Sequence, residues 1–320
     1  MIKIIVKRVL QLIPVLLITM SITFVITRVI PGNPAVSILG PQATAEDIAK
    51  MEERMGLNDP LPVQYINYIA GVFTGDLGTS YRYNQPVAGL ILEKLPNTLV
   101  LALSSLVIAL IIGVPVGILS AVKQYSIFDY TAMITALIGV SMPNFWLGLM
   151  LVLAFSVNLG WFPVLGMGSL ANGLGDVISH IFLPAVCLSF GSMANFARIS
   201  RSSMLEVIDQ DYMKAVRAKG IREWIVIIKH GFKNAMPPIV TVLGMRISSL
   251  MTGAIMVETI FSWPGIGRLI VEAINNNDYE MIQGSVLFMA VLYVLVNLAV
   301  DIVYLYINPK VSYASERRGG

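Results

Sequence analysis

Six long apolar runs dominate this 320-residue sequence. They lie near residues 9–30, 98–122, 132–157, 178–198, 238–261 and 284–307. A helix needs roughly 20 apolar residues to cross a bilayer core about 30 Å thick, and each run reaches that length. Only 13% of the residues are charged, whereas soluble domains carry about 25%. The sequence therefore predicts an all-α integral membrane protein with about six transmembrane helices.

The first run follows Lys3, Lys7 and Arg8, as the core of a secretory signal peptide would. It extends from Val9 to about residue 30, and a signal-peptide core spans only about 7–15 residues. It ends in a Pro-Gly-Asn-Pro sequence at residues 31–34, without a small-x-small cleavage pattern. We therefore interpret the run as a retained first span.

The distribution of Lys and Arg predicts the orientation of the spans. If the N-terminus is cytoplasmic, the inner segments hold most of the basic residues. Arg268 is then the only Lys or Arg in an outer loop other than the long first one, which counts for little under this rule. Two arginines fall within spans, and we expect Arg28 to extend its side chain to the outer surface. Both termini are therefore predicted to be cytoplasmic.

The apolar runs divide the chain into four parts. These are the N-terminus and first span (1–30), an extracytoplasmic segment (31–97), a core transmembrane domain (98–310) that contains a cytoplasmic loop (199–237), and a C-terminal tail (311–320).

The extracytoplasmic segment is long enough to contain structure of its own. Thr44 and Asp47 form a capping box, and Gly56 is suited to end the helix that this box begins. A second helix is expected after Pro62, and the Gly-Asp-Leu-Gly sequence at residues 75–78 predicts a turn.

The sequence lacks the motifs of several enzyme classes. It contains no G-x-x-x-x-G-K-[ST] phosphate loop, so the chain does not bind ATP by that route. His180 and His230 form no H-E-x-x-H pattern, and Cys187 is the only cysteine. We predict no catalytic and no metal-binding residues. An intramembrane enzyme or a proton-coupled carrier is the alternative class, but the spans offer only isolated charges and no inverted repeat.

The cytoplasmic loop is the most informative stretch. Residues 211–218 favour a helix, and Gly220 is expected to end it with a positive φ. A second short helix follows, with an apolar stripe at Ile221, Ile225, Ile228 and Phe232. Two short helices joined at a glycine can form a protrusion for another protein. On spacing alone, a solvated loop with the positive charge of an inner segment is an equal alternative.

This loop resembles the cytoplasmic EAA loop of binding-protein-dependent ABC importer permeases. The similarity rests on Ala215-Val216-x-x-x-Gly220 and on residues 234–237. The dipeptide/oligopeptide/nickel branch is indicated by residues 201–207, 210–212, 217–220, 230–235, 141–148, 257–267, 31–34, 56–57 and 75–78, so that the resemblance covers nearly the whole chain. The sequence departs from the motif at Lys214, which stands in place of the glutamate, and at Val216, which replaces the second alanine.

The resemblance implies a type I ABC importer permease fold and the first, B-type membrane subunit of a complex in the bacterial or archaeal cytoplasmic membrane. It implies a second homologous permease, two ATPase subunits that bind ATP and Mg, and an extracytoplasmic substrate-binding protein. No cofactor is expected on this chain itself. The implied substrate is a dipeptide or oligopeptide, with a nickel chelate or glutathione as alternatives.

The resemblance also implies two contact regions. The ATPase would hold the loop in a groove through Asp211, Lys214, Ala215, Val216, Arg217, Ala218, Lys219, Gly220 and Glu223. The binding protein would dock on the acid-rich outer segments 31–97 and 262–283.

The fifth apolar run supplies most candidates for the translocation pathway. Small residues at Gly244, Ser248 and Thr252 recur every fourth position, which allows close helix packing or leaves room for solute. A charge at the bilayer centre costs about 2.5–3.5 kcal/mol, so charged residues in spans usually face protein or water. The predicted pathway residues are Asn144, Arg246, Ser249, Thr252, Gly253 and Glu258, with helix packing as the alternative role.

Overall fold

The computed structural model describes residues 2–29, 32–40 and 42–307; for residues 2–9, 11, 248, 251, 252, 301 and 303–307 it describes only the backbone. The described helices are α1 (Ile2–Val29), α2 (Pro34–Leu39), α3 (Ala45–Arg54), α4 (Leu61–Phe73), α5 (Val87–Val122), α6 (Ile127–Ser141), α7 (Asn144–Leu151), α8 (Leu174–Ile208), α9 (Asp211–Ala218), α10 (Glu223–Ile225), α11 (Lys233–Ile260), α12 (Ile266–Asn275) and α13 (Tyr279–Ile307). A π-helical segment continues α7 through Val152–Asn158, and another continues α10 through Val226–Phe232. A 3-10 turn covers Leu170–Asn172, and two short strands, β1 (Thr79–Ser80) and β2 (Gln85–Pro86), pair antiparallel with Thr79 opposite Pro86.

Four of the described helices, α1, α5, α8 and α13, are long and apolar enough to cross a membrane. A fifth span results if α6 and the helix that follows it are counted together as one bent pair. The predicted fifth run corresponds to α11. Some side chains of α11 are not among the described residues, and this helix is not included in the count of spans. The all-α, multi-span class predicted from the sequence is confirmed.

The third predicted span, 132–157, is not one straight helix. α6 ends at Ser141, Met142 has extended backbone angles (φ −81°, ψ 126°), and α7 begins after Pro143. A residue that precedes proline avoids the helical region because the proline ring clashes with its backbone. The helix therefore breaks at this point, and the two halves of the span meet at an angle of 108°.

The chain forms two compact units. The first comprises the described residues up to Thr98 together with Pro264–Leu298, and the second comprises Leu99–Trp263 and the described residues from Ala299 onward. The core of the first unit consists of Val87, Leu90, Ile91, Ile266, Leu269, Ile270, Ala273, Met281 and Ile282. The larger core of the second unit is built around Leu101, Leu188, Phe196, Val257, Phe261 and Trp263.

The first unit contains the two helices that the sequence predicts within residues 31–97. Thr44 caps α3 and accepts a hydrogen bond from the Asp47 amide at 3.2 Å, and Gly56 follows the helix with a φ of +64°. The second helix is α4, and Gly75 and Gly78 both have a positive φ in the turn that follows it. These local predictions are confirmed.

Hydrogen bonds join residues of the segment 31–97 to residues that follow them by almost 200 positions. Ser80 Oγ donates to Asp278 Oδ2 at 2.5 Å, and the Tyr83 hydroxyl donates to Glu272 Oε2 at 3.0 Å. The segments 31–97 and 262–283 are separate in the sequence, and the structure brings most of both into this one unit.

Arg28 lies near the end of α1 and is half-buried. Its guanidinium lies over the rings of Phe24 and Tyr279, 4.9 Å from each centroid. Its Nε and Nη2 atoms donate to Gln64 Oε1 at 2.9 and 2.7 Å. Both rings and the amide belong to the same unit, so Arg28 ties the end of α1 to α4 and to the start of α13.

Close helix contacts in the second unit depend on glycines of α5. A Cβ atom at Gly113 or Gly117 would collide with the backbone carbonyl of Met193 or Ala197 in α8. Small residues allow such backbone-to-backbone approach between membrane helices. α5 and α8 are therefore packed together without room for a side chain at these two positions.

Candidate coupling surface and pathway residues

The candidate coupling surface is built around the eight-residue helix α9. Asp211 in its first turn and Arg217 in its last turn both suit the helix dipole. The helix ends at Ala218, and Gly220 follows with a φ of +74°, as the sequence predicts. This conformation favours glycine because it brings a Cβ atom too close to the backbone.

One buried side chain anchors α9. Met213 has no exposed surface and is the only buried residue of the helix. A Cβ atom at Gly231, in the π-helical segment after α10, would lie 3.2 Å from Met213 Cε and 3.3 Å from Met204 Cε of α8. Met213 therefore fills a socket between α8 and the π-helical segment, which holds α9 against both.

Arg217 adds polar connections to the same socket. Its Nη1 atom donates to the Ile208 carbonyl at 3.2 Å, at the end of α8. Its Nε and Nη2 atoms donate to Glu223 Oε1, at the start of α10, at 3.1 and 3.0 Å. In this structure the Arg217 guanidinium belongs to the internal frame of the loop, and Lys219 is the basic residue that is exposed beside it.

The opposite face of α9 is open to solvent. Exposed candidates on and after this helix are Asp211, Lys214, Ala215, Ala218, Lys219, Gly220 and Glu223, whereas Val216 and Arg217 are half-buried. Lys214 pairs with Asp211 at 3.0 Å, but both side chains are well exposed, and such surface pairs contribute little stability. The structure thus gathers the sequence-predicted coupling residues on one small protrusion.

The sequence interpretation identified the apolar stripe that includes Ile228 but not the exposed Trp224 beside it. Trp224 is 63% exposed and Ile228 is 48% exposed, next to the charged residues of α9 and α10. Tyr212 is also exposed, and its hydroxyl accepts a hydrogen bond from Asn234 Nδ2 at 3.0 Å. A large aromatic residue between charged neighbours, Arg222, Glu223 and Lys229, was the available signal.

The candidate pathway residues differ in their exposure. In α11, Ser249 is exposed, Arg246 is half-buried and Glu258 is fully buried. A Cβ atom at Gly253 would be in ordinary contact with Leu188, 3.4 Å away. Asn144 begins α7, and its carbonyl accepts a hydrogen bond from Cys187 Sγ at 3.3 Å. The side chain of Thr252 lies outside the described residues.

A buried ion pair near the same protrusion was not identified from the sequence. Arg201 of α8 donates to both carboxylate oxygens of Asp129, at 2.6 and 2.7 Å. The Asp129 side chain is 2% exposed and the Arg201 side chain 24%. Asp129 also accepts the Tyr125 amide at 3.1 Å. No spacing rule relates two residues that are 72 positions apart.

A charged cavity of about 370 Å³ lies in the first unit. Its lining includes two acidic and two basic side chains, Glu93, Lys94, Arg268 and Glu272, together with Tyr83. Burial raises the pKa of Tyr83, and its hydrogen bond to Glu272 acts in the same direction. Tyr83 is therefore a neutral hydrogen-bond donor at physiological pH. Among the described residues, no group of three or more His, Cys, Asp or Glu side chains is arranged to hold a metal.

Comparison with known proteins gives a consistent result over the whole chain. The family model of the binding-protein-dependent transport system inner membrane component matches residues 113–313, and the model of its N-terminal region matches residues 1–102. The chain is 47% identical to the dipeptide transport system permease protein DppB of Alkalihalophilus pseudofirmus, over 96% of this chain and 98% of the relative. It is 43% identical to the oligopeptide transport system permease protein AppB of Bacillus subtilis, over 97% and 99%.

Two further similarities concern another transported solute and the fold. The glutathione transport system permease protein GsiC of Salmonella typhimurium is 40% identical over 98% of this chain and its full length. The inward-facing MetNI methionine ABC transporter has a chain of similar structure, with a TM-score of 0.56, 20% identity, and coverage of 69% of this chain and 97% of that one. At this identity the similarity concerns the fold alone, and it agrees with the type I importer permease fold. The chain belongs to the binding-protein-dependent transport system inner membrane component family, as a multi-pass membrane permease subunit of an ABC importer.

Proposed function

We propose that this chain is the permease subunit of an ABC importer for dipeptides or oligopeptides. The names of its two relatives at 47% and 43% identity support the peptide substrate. The structural observation that supports the proposal most directly is that α9 is anchored on one face by Met213 and exposed on the other. Such a helix can pass a displacement to the rest of the chain because its fixed face leaves it little freedom to slide.

The partner at α9 is one of the two ATPase subunits of the complex. These subunits, and not this chain, bind ATP and Mg. The contact uses Asp211, Lys214, Ala215, Val216, Ala218, Lys219, Gly220 and Glu223, with Arg217 holding the loop in shape. Ala215 and Ala218 permit close approach, and the exposed Trp224 extends the contact with apolar surface. Lys214 stands in place of the motif's glutamate. A basic side chain cannot make the contacts of a carboxylate, so any role of that glutamate is absent in this chain.

The outer partner is a substrate-binding protein that docks on the first unit. The segments 31–97 and 262–283 contribute acidic residues to this unit, and its charged cavity offers both signs of charge. A second homologous permease completes the pathway, to which Asn144, Arg246, Ser249, Thr252, Gly253 and Glu258 contribute. In this arrangement both termini of the chain are cytoplasmic.

A glutathione importer is the second candidate function, because a relative at 40% identity carries that name. Glutathione is itself a small peptide, so a pathway of similar size and polarity serves either solute. The binding protein, and not this chain, is expected to make most of the selection.

Native mass spectrometry of the complex purified through this chain tests the proposal. We expect a second permease and two ATPase subunits to co-purify, and ATP-dependent uptake of labelled dialanine by proteoliposomes when the binding protein is added. The same uptake assay with labelled glutathione distinguishes the two candidate substrates. Purification without any ATPase subunit, or ATP hydrolysis by the isolated chain, would contradict the proposed division of labour.

A further inference from the structure

The broken span formed by α6 and α7 is held by α8 at two points. Arg201 of α8 binds Asp129 in the first turn of α6 through two short hydrogen bonds. Cys187 of α8 donates to the carbonyl of Asn144, the first residue of α7. The break at Met142 and Pro143 lies between these two points along the chain. A displacement of α8 therefore acts on both arms of the bend.

The Asp129–Arg201 pair is the directional contact between α6 and α8. Among the described residues, the only hydrogen bonds between these two helices are those of this pair. The rest of their contact surface is extensive and largely apolar, with Gly139 facing the ring of Phe190 and the methyl group of Ala194. Apolar contacts have no preferred direction, whereas a bidentate guanidinium–carboxylate pair defines both distance and orientation.

Helix α8 also contacts α9, at the end of α8 that carries Arg201. The last turn of α8 receives a hydrogen bond from Arg217, and Met204 of α8 packs beside Met213 of α9. Arg201 precedes Met204 by one helical turn. The α6 helix between Asp129 and Ser141 is unbroken, and at 1.5 Å per residue it forms a rigid arm about 18 Å long.

We propose that Asp129 and Arg201 are positioning residues that transmit a displacement of α9 and α8 to the bend at Met142 and Pro143. The inference rests on the proposed function, in which an ATPase moves α9. In addition, α9 acts on the pathway through the start of α6. The Asp129–Arg201 pair therefore determines how much solute is moved for each ATP hydrolysed.

The test uses the reconstituted importer with its ATPases, second permease and binding protein. Asp129→Asn keeps the shape of the side chain and an oxygen that accepts the Tyr125 amide, but it removes the charged bidentate pair. We expect the ATPase subunits to co-purify as in wild type and ATP hydrolysis to continue. Dialanine moved per ATP should fall by about fivefold or more, the usual lower range of a coupling effect.

Three further variants distinguish transmission from simple stability. The exchange of both residues, Asp129→Arg with Arg201→Asp, should recover part of the lost dialanine per ATP. Arg201→Lys keeps the charge without the bidentate geometry and should lower the ratio as Asp129→Asn does. The matched control is Asp176→Asn at the opposite end of α8, where the carboxylate accepts the Ser169 amide at 2.7 Å. This control should leave the ratio unchanged.

An unchanged ratio in both Asp129→Asn and Arg201→Lys would overturn the proposal. So would failure of both variants to assemble with the ATPases, since the pair would then have a purely structural role. The proposed function is judged separately, by ATP-dependent dialanine uptake in the wild-type complex.

Discussion

The Cε methyl group of Met213 occupies the space that Gly231 leaves by having no side chain. A Cβ atom at position 231 would lie 3.2 Å from that methyl group, closer than most real Cβ contacts. The two residues are on different elements, α9 and the π-helical segment after α10. Their fit explains how a short, mostly exposed helix is held in one position.

Truncation of this anchor should separate α9 from the rest of the chain. Met213→Ala removes the only buried side chain of the helix, and such a change in a packed core costs about 2–5 kcal/mol. We expect a lower melting temperature of the purified complex and less co-purified ATPase. Lys214→Ala, at the neighbouring exposed position, is the control and should leave the melting temperature unchanged. Equal ATPase recovery from Met213→Ala and wild type would mean that the socket does not position α9.

Side-chain bulk at Gly220 should interfere with a docked partner more than with this chain. A Cβ atom there meets nothing within 4 Å, so neither Gly220→Ala nor Gly220→Leu creates a clash inside the chain. Both substitutions carry the backbone strain of a positive φ, roughly 1–2 kcal/mol. We expect both variants to insert normally, and only Gly220→Leu to lose most uptake while ATP hydrolysis continues. Wild-type uptake by Gly220→Leu would exclude a close contact at this residue.

The orientation of the spans can be measured by cysteine labelling. In a Cys187→Ser background, Asn67→Cys and Lys214→Cys each introduce a thiol at an exposed position. We expect a membrane-impermeant maleimide to label position 67 in intact cells, and position 214 only after the membrane is opened. The reverse pattern would contradict cytoplasmic termini.

Two glycines of the same helix should respond differently to enlargement. Gly117 of α5 touches the backbone of α8 at Ala197, whereas a Cβ atom at Gly89 meets nothing within 4 Å. Gly117→Leu should destabilise the second unit by about 1–3 kcal/mol or more, because the helices must separate. Gly89→Leu should be neutral, or stabilising through its better helix propensity. Membrane content and melting temperature of the two variants provide the comparison, and equal values would show that α5 and α8 do not depend on this approach.

The sequence by itself determined those features that depend on neighbouring residues. The length and composition of the apolar runs predicted the membrane class because a helix must cover the hydrocarbon thickness with apolar side chains. The capping box at Thr44, the stop after Arg54 and the positive φ of Gly220 are local backbone preferences, and each is found in the structure.

Only the tertiary structure decided which distant residues meet. Asp129 binds Arg201, Arg28 binds Gln64, and Met213 packs against Gly231. The residue before Pro143 avoids helical backbone angles, but the 108° angle of the bend depends on how α6 and α7 each pack against α8. Contacts of this kind follow from the packing of whole helices, which no local pattern of residue types specifies.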